Sequence, residues 1–140
     1  MKVLFIAGFA PISREVEVSQ RFYRETLGLD FEGGEGDYRF TEKLGVRHFA
    51  VWPLREVART CFDRDEWPSD VRVPQATVEF EVADVEAAAA ELRQGGFQLI
   101  HGARTEPWTQ VTARVLSPEG LLVEVCHTPG LHPPAVTPES

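Results

Sequence analysis

Positive charge is scarce in this chain. The 14 Lys and Arg residues stand against 22 Asp and Glu, a formal net charge of -8 over 140 residues. No basic run or patch occurs, so the electrostatic footprint of a nucleic-acid-binding protein is missing. The same acidic balance disfavours anionic membrane surfaces. No apolar run approaches the roughly 20 residues that a membrane-spanning helix needs. Cysteine is scarce too: Cys61 and Cys126 lie far apart and form no CxxC pair. That argues against a disulfide framework and fits a reducing, cytoplasmic setting. No Ser-His-Asp or Cys-His nucleophile pattern, phosphate loop or dinucleotide fingerprint is present, and GGEG at 33–36 reads as a turn. The opening MKVLFIAGFAPI pairs one lysine with an apolar run, as a secretion signal does. The run is short and lacks a small-x-small cleavage site. It reads as a strand, and the protein as cytoplasmic.

What the chain has is repetition. Residues 3–31 run apolar strand, acidic residue, amphipathic helix, glycine, apolar strand; residues 74–100 do the same. Each copy then leads into a glycine-led apolar strand closing at a proline, GVRHFAVWP at 45–53 and GLLVEVCHTP at 120–129. Two βαβββ-like halves imply one pseudo-symmetric α+β domain with a concave surface between them. An apolar fraction of 43% suffices for a single core. The expected limits are one domain at 1–129, with module one at about 1–54, a connecting segment at about 55–73 and module two at about 74–129. A proline-rich, flexible tail occupies 130–140.

Helix one is expected at about 15–27, with Val18, Phe22, Tyr23 and Leu27 as its apolar stripe and Gly28 as its stop. Helix two is expected at about 84–94, with Asp84 as N-cap, Val85, Ala88, Ala89 and Leu92 buried, and Gly95-Gly96 at its end. A short helix near 54–61 precedes a charged loop carrying Trp67-Pro68. In TVEFEV, Val78, Phe80 and Val82 point one way and Thr77, Glu79 and Glu81 the other. The apolar set takes the helix, so the polar set faces the concavity, joined by Gly8, Ala10 and Ile12 of the first strand. If Val123 and Val125 pack under the helices, Glu124 looks into the concavity. Aligning the closing prolines brings His48, Ala50 and Trp52 to that face. Aligning Gly45 with Gly120 instead turns His48 outward, because a one-residue slip flips every side chain.

Four runs carry a resemblance: SQRFYRETLGL (19–29), VADVEAAAAELRQGGF (82–97), the EPW turn (106–108) and LSPEGLLVEV (116–125). With the doubled spacing, they make the chain similar to the vicinal oxygen chelate superfamily, which includes glyoxalase I, bleomycin-resistance proteins, fosfomycin-resistance enzymes and extradiol dioxygenases. The resemblance implies paired βαβββ modules forming a cupped eight-stranded mixed sheet, and a homodimer. The superfamily's metalloenzymes place a ligand on the first and last strand of each module. Here those positions fall on Gly8, which cannot coordinate; on or next to His48; on Thr77, a poor ligand; and on Glu124, in the G-x-x-x-E pattern from Gly120. Since a catalytic zinc site uses three protein ligands and an open position, the expectation is no cofactor. If a divalent metal (Zn, Ni, Fe or Mn) is bound, His48 and Glu124 are its candidates.

The resemblance therefore implies a small-molecule-binding protein of the bleomycin-resistance, antibiotic-resistance type, sequestering a planar or cationic ligand. The expected contacts are Trp52, Trp108 and Phe9 as aromatic walls and Glu79, Glu81 and Glu124 as charges. The alternative is a metal-dependent glyoxalase-type lyase or extradiol-type dioxygenase with Glu124 as ligand or base. His101, in FQLIHG, reads as satisfied by backbone or water. His127 and His132, in a Pro/Gly-rich tail, are a weak metal signal, and Cys126 reads as a small buried apolar residue.

Overall fold

The computed structural model describes residues 1–26, 29–117 and 120–132. One mixed sheet of seven strands organises them: β1 (Phe5–Ser13), β2 (Arg39–Thr41), β3 (Phe49–Pro53), β4 (Ala76–Glu81), β5 (Leu99–Thr105), β6 (Val111–Leu116) and β7 (Leu122–His127), in the order β2-β3-β1-β4-β7-β6-β5. The doubled sequence pattern appears as doubled topology. β1 pairs parallel with β3 and β4 parallel with β7, and the halves meet where β1 and β4 pair antiparallel.

Among the described residues, module two is a complete βαβββ unit, while module one is short of a strand. The expected eighth strand after helix one shrinks to a single bridge, Glu32 to Phe40. The glycine turn that follows explains this. Gly33 sits at φ +106, where a Cβ would meet the Tyr38 carbonyl at 2.5 Å, and the partner β2 is only three residues long. Little ladder is left to extend.

Helices α1 (Val16–Arg21) and α3 (Val85–Gln94) cover one face of the sheet, and α2 (Leu54–Phe62) lies against the other. Asp84 caps α3 as expected, accepting from the Ala87 amide at 3.0 Å. Val85, Ala88 and Ala89 pack on Val82, Ala113 and Val125. Helix one differs from its expectation. It is α-helical for six residues and then widens into a π-helical turn, Phe22–Thr26. Its inward residues are Val16, Gln20 and Tyr23, while Val18 is 53% exposed. The stripe carries a polar member because Gln20 is satisfied where it is buried: it donates to the Asp37 carbonyl at 2.6 Å and accepts from the Gly36 amide at 3.0 Å. Leu27, Gly28 and the tail beyond residue 132 lie outside the described residues. Among the described residues, no helix is long and apolar enough to cross a membrane.

On the second face, Ala10, Ala50, Trp52 and Leu122 pack with Val57 and Cys61 of α2. This cluster floors one end of the concavity and fixes α2 there. Leu122 is fully buried, so Leu122→Ala leaves a cavity at the sheet centre. The expected loss is about 2–5 kcal/mol, read as a fall in the urea unfolding midpoint at unchanged slope. Val18→Ala, by contrast, lies on an exposed face, and its midpoint should stay within about 0.5 kcal/mol of the parent's.

Candidate functional site

A cavity of about 610 Å³ opens on the face of the sheet that α1 and α3 leave free. Ala7 and Ala10 of β1, Trp52 of β3, Thr77 and Glu79 of β4, Arg114 of β6 and Glu124 of β7 form its floor. Glu56, Arg59 and Thr60 of α2 close one side. Tyr38, Phe40 and His48 stand on another, and Trp108 and Gln110 on the turn before β6 stand opposite the helix-side core. Thr128 and Leu131 complete the rim, from the 3-10 turn Pro129–Leu131. Period-two alternation explains the floor. Glu79 pairs with Glu124 across β4 and β7, and Arg114 pairs with Glu124 across β6 and β7, so side chains of one parity on three neighbouring strands share a face.

These strands bury a charged cluster. Arg114 is 1% exposed. Its Nε and Nη2 donate to Glu124 Oε2, both at 2.7 Å, and its Nη1 donates to Glu106 Oε1 at 2.7 Å. Glu106 Oε1 also accepts from Thr112 Oγ1 at 2.8 Å and Arg104 Nε at 3.0 Å. Arg104 reaches on to the Thr60 carbonyl of α2. The Trp52 ring lies 5.7 Å from the Arg114 guanidinium carbon. His101 donates from Nδ1 to the Gly102 carbonyl at 2.8 Å and accepts at Nε2 from Arg114 at 3.0 Å, a neutral imidazole. Burial, ahead of other causes, pulls its pKa down and agrees with that assignment.

Two carboxyls in the cluster are pushed opposite ways. Burial raises the Glu106 carboxyl, but the hydrogen bonds from Arg114 and Thr112 overcome this and hold it below its usual range. Burial pushes the Glu124 carboxyl up to about 8; Arg114 opposes this and the neighbouring Glu79 carboxylate adds to it. Counting Arg104, Arg114, Glu79 and Glu106 as charged, a proton on Glu124 makes the buried cluster neutral, which is the inexpensive state in a low-dielectric interior. Glu124 Oε1 and Thr77 Oγ1 are buried with no hydrogen-bond partner among the described residues.

The predicted site residues separate. Trp52, Trp108, Glu79 and Glu124 come together around the cavity, as does His48. Trp52 is 9% exposed and Trp108 50%; the first is a buried wall and the second a rim residue whose Nε1 donates to Gln110 Oε1 at 2.9 Å. Phe9 is elsewhere. It stacks on Phe49 at 6.2 Å, and Phe49 packs against Tyr23 of the helix layer, so Phe9 belongs to the opposite face of the sheet. The alternation of β1 puts it there, with Ala10 on the cavity side. Glu81 shares the parity of Glu79 but lies one repeat beyond the cavity wall. It is fully buried and bound by the Thr128 amide, the Thr128 hydroxyl at 3.0 Å and His132 Nε2 at 2.8 Å.

His48 takes the register of the aligned prolines. The Tyr38 hydroxyl, whose pKa burial and Glu79 raise, is set to donate to His48 Nε2 at 2.6 Å, leaving Nδ1 toward Glu42 Oε1 at 3.6 Å. Gly8 has a steric reason: a Cβ there would meet Glu79 Oε2 at 2.4 Å. Glu79 fills the space that a longer side chain at Gly8 would take. Among the described residues, two groups have potential metal-ligating atoms within 4.8 Å of one another: Glu79, Glu124 and Cys126, and Glu81, His127 and His132.

Sequence reasoning missed Arg114, Gln110, Glu106, Tyr38 and the α2 residues. A signal existed for the first. In VTARVL, Arg114 is the one charge in an alternating strand that ends four residues before Gly120, so a hairpin places it across from Glu124 on the next strand. Tyr38 and α2 carry no such signal, because loops bring them in.

A family model described as "Glyoxalase-like domain" matches residues 6–129. No curated protein matches the chain. Among solved structures, a glyoxalase/bleomycin resistance protein/dioxygenase superfamily member from Vibrio splendidus 12B01 is similar, with TM-score 0.58 and 17% identity over 89% of this chain and 100% of that one. Methylmalonyl-CoA epimerase from Streptomyces coelicolor aligns with TM-score 0.56 and 19% identity over 95% and 100%. A chain titled NAD-dependent benzaldehyde dehydrogenase from Legionella pneumophila aligns with TM-score 0.59 and 11% identity over 86% and 96%. At these identities the likeness is one of fold.

The opposed carboxyls predict a pH profile. Glu124 holds its proton more tightly folded than unfolded, so its contribution is intact below the ordinary 4.5 and is lost as pH rises toward about 8. Glu106 has the reverse sign: its contribution is present above its ordinary range and is lost in acid. The thermal midpoint should therefore peak near pH 5 and decline toward pH 8, and Glu124→Gln should flatten the alkaline decline while leaving the acid arm. Gly8→Ala should cost about 1–3 kcal/mol by overpacking against Glu79, measured by chemical denaturation.

Proposed function

This chain belongs to the glyoxalase-like domain family, within the vicinal oxygen chelate superfamily, and on that basis we propose that it binds a planar, cationic small molecule in the sheet cavity without a metal and sequesters it, as bleomycin-resistance proteins do. One observation carries the reading: Tyr38, Phe40, Trp52 and Trp108 wall a cavity whose floor carries the Glu79 and Glu124 carboxyls. A ligand that stacks on the aromatic walls and donates from its edge meets the Glu79 carboxylate on the floor. With Glu124 holding its proton, Glu42, Glu56 and Glu79 still outnumber Arg59 and Arg114 around the space. Arg114 is committed to Glu106 and Glu124, and Arg59 to Asp65. The balance favours a cation. A polyanion such as an acyl-CoA or a glutathione conjugate would meet uncompensated carboxylates.

The metal-dependent alternative, a glyoxalase-type lyase or extradiol-type dioxygenase, fits the side chains less well. Gly8 has no donor atom, the His48 Nε2 is engaged by Tyr38, and the Glu124 carboxyl carries the Arg114 guanidinium on Oε2. A fixed positive charge at that distance opposes a divalent ion. Burial pushes the Cys126 thiol far above its usual range, so it stays protonated and is a poor ligand. Stoichiometric metal lost in both His48→Ala and Glu124→Ala would favour the enzyme instead.

A cytoplasmic homodimer completes the proposal. Met1, Val3, Leu4, Ile6 and Phe9 are exposed apolar residues along β1 and its approach, a surface that a second copy would cover. Light scattering at micromolar protein should give twice the chain mass; a stable monomer would refute the dimer.

Tryptophan-fluorescence titration tests the ligand class. A polycyclic cation should quench and saturate, and Trp108→Ala should weaken it by about ten-fold, the scale of 1–2 kcal/mol of stacking and cation–π contact. If only an anionic thiol conjugate quenches, and Trp108→Ala leaves its affinity unchanged, the sequestration reading fails.

A further inference from the structure

We propose that Glu81, His127 and His132 form a second binding site, for a late first-row divalent cation such as Zn²⁺ or Ni²⁺, beside the cavity and separate from the family's metal position. The three come from different places. Glu81 ends β4, His127 ends β7, and His132 follows the 3-10 turn Pro129–Leu131 that folds back over both strands. One potential ligand atom from each lies within 4.8 Å of the others. Tetrahedral bonds of about 2.0–2.2 Å place ligand atoms roughly 3–3.5 Å apart, so a closing shift of about 1 Å at the terminal turn completes the set.

The arrangement is built rather than incidental. The Glu81 carboxylate is fully buried and oriented by the Thr128 amide and by the Thr128 hydroxyl at 3.0 Å, with the Cys126 sulfur 3.4 Å from Oε2. His132 already presents Nε2 to Glu81 Oε1 at 2.8 Å. The His127 and His132 rings stack with centroids 4.3 Å apart and an interplanar angle of 18°. His127 Nδ1 faces the Val82 carbonyl at 3.4 Å, the backbone contact that commonly orients a ligating imidazole. His132 keeps 23% of its side chain exposed, which leaves an entry path. Two imidazoles and one carboxylate suit zinc, nickel or copper; magnesium and calcium prefer all-oxygen sets. Because Thr128 and Leu131 line the cavity, an ion here fastens a segment of the cavity rim to the sheet.

Isothermal titration of the metal-free full chain with Zn²⁺ tests the site. One equivalent should bind at micromolar affinity or tighter, Mg²⁺ should give no heat, and His127→Ala and His132→Ala should each weaken binding at least ten-fold while His48→Gln leaves it intact. Absence of saturable uptake, uptake unchanged in both histidine variants, or loss in His48→Gln would overturn the proposal. Co²⁺ absorption of the unmodified protein serves as a check that needs no variant: d–d bands without a thiolate charge-transfer band are expected, and such a band would move the ion to Cys126 and refute the site.

Discussion

Arg114 is the constraint around which the concave face is arranged. A guanidinium 1% exposed on the next-to-last strand of the sheet is costly unless its donors find acceptors. Here Glu106 supplies a carboxylate, Glu124 a carboxyl oxygen, His101 a lone pair and Trp52 a π face. Each partner is then committed. Glu106 is tied into the Arg104–Thr112 network, and Arg104 holds α2 through the Thr60 carbonyl. Glu124 gives one oxygen to Arg114 and has the Glu79 carboxylate beside it, which helps to keep its proton on.

The two halves of the domain use their common plan unequally. In module two the floor-facing residues are charged: Glu79, Arg114, Glu124. In module one the matching face is small and apolar, with Gly8, Ala10 and Ala50. The small residues leave the volume, and the charged ones supply its chemistry. Gly8 shows the dependence directly, since any side chain there would collide with Glu79.

Much of this was legible in the chain itself. Period-two alternation in TVEFEV and LLVEVC put Glu79 and Glu124 on one face, and Asp84 and Gly95-Gly96 bounded α3. Those readings rest on local geometry, which neighbouring residues settle. The reading of Phe9 failed because its parity belongs to the helix face with Phe49. The eighth strand failed because the glycines at 33–36 turn the chain before a ladder forms. Helix one departed from its expected stripe because a π-helical turn and the buried Gln20 hydrogen bonds override apolar spacing.

The sequence by itself determined the doubled α+β plan, the parity of each strand and the acidic balance of the surface, because those follow from composition and from periods of two and 3.6 residues. Only the tertiary structure decided the rest. It chose between two registers for His48 through strand pairing and the Tyr38 hydroxyl, brought α2 and Tyr38 over the floor, and set Arg114 against Glu106 and Glu124. It also separated Glu81 from Glu79, giving the first to the terminal turn and the second to the cavity. Contacts between residues tens of positions apart depend on where loops and strand order place them, and no local pattern encodes that placement.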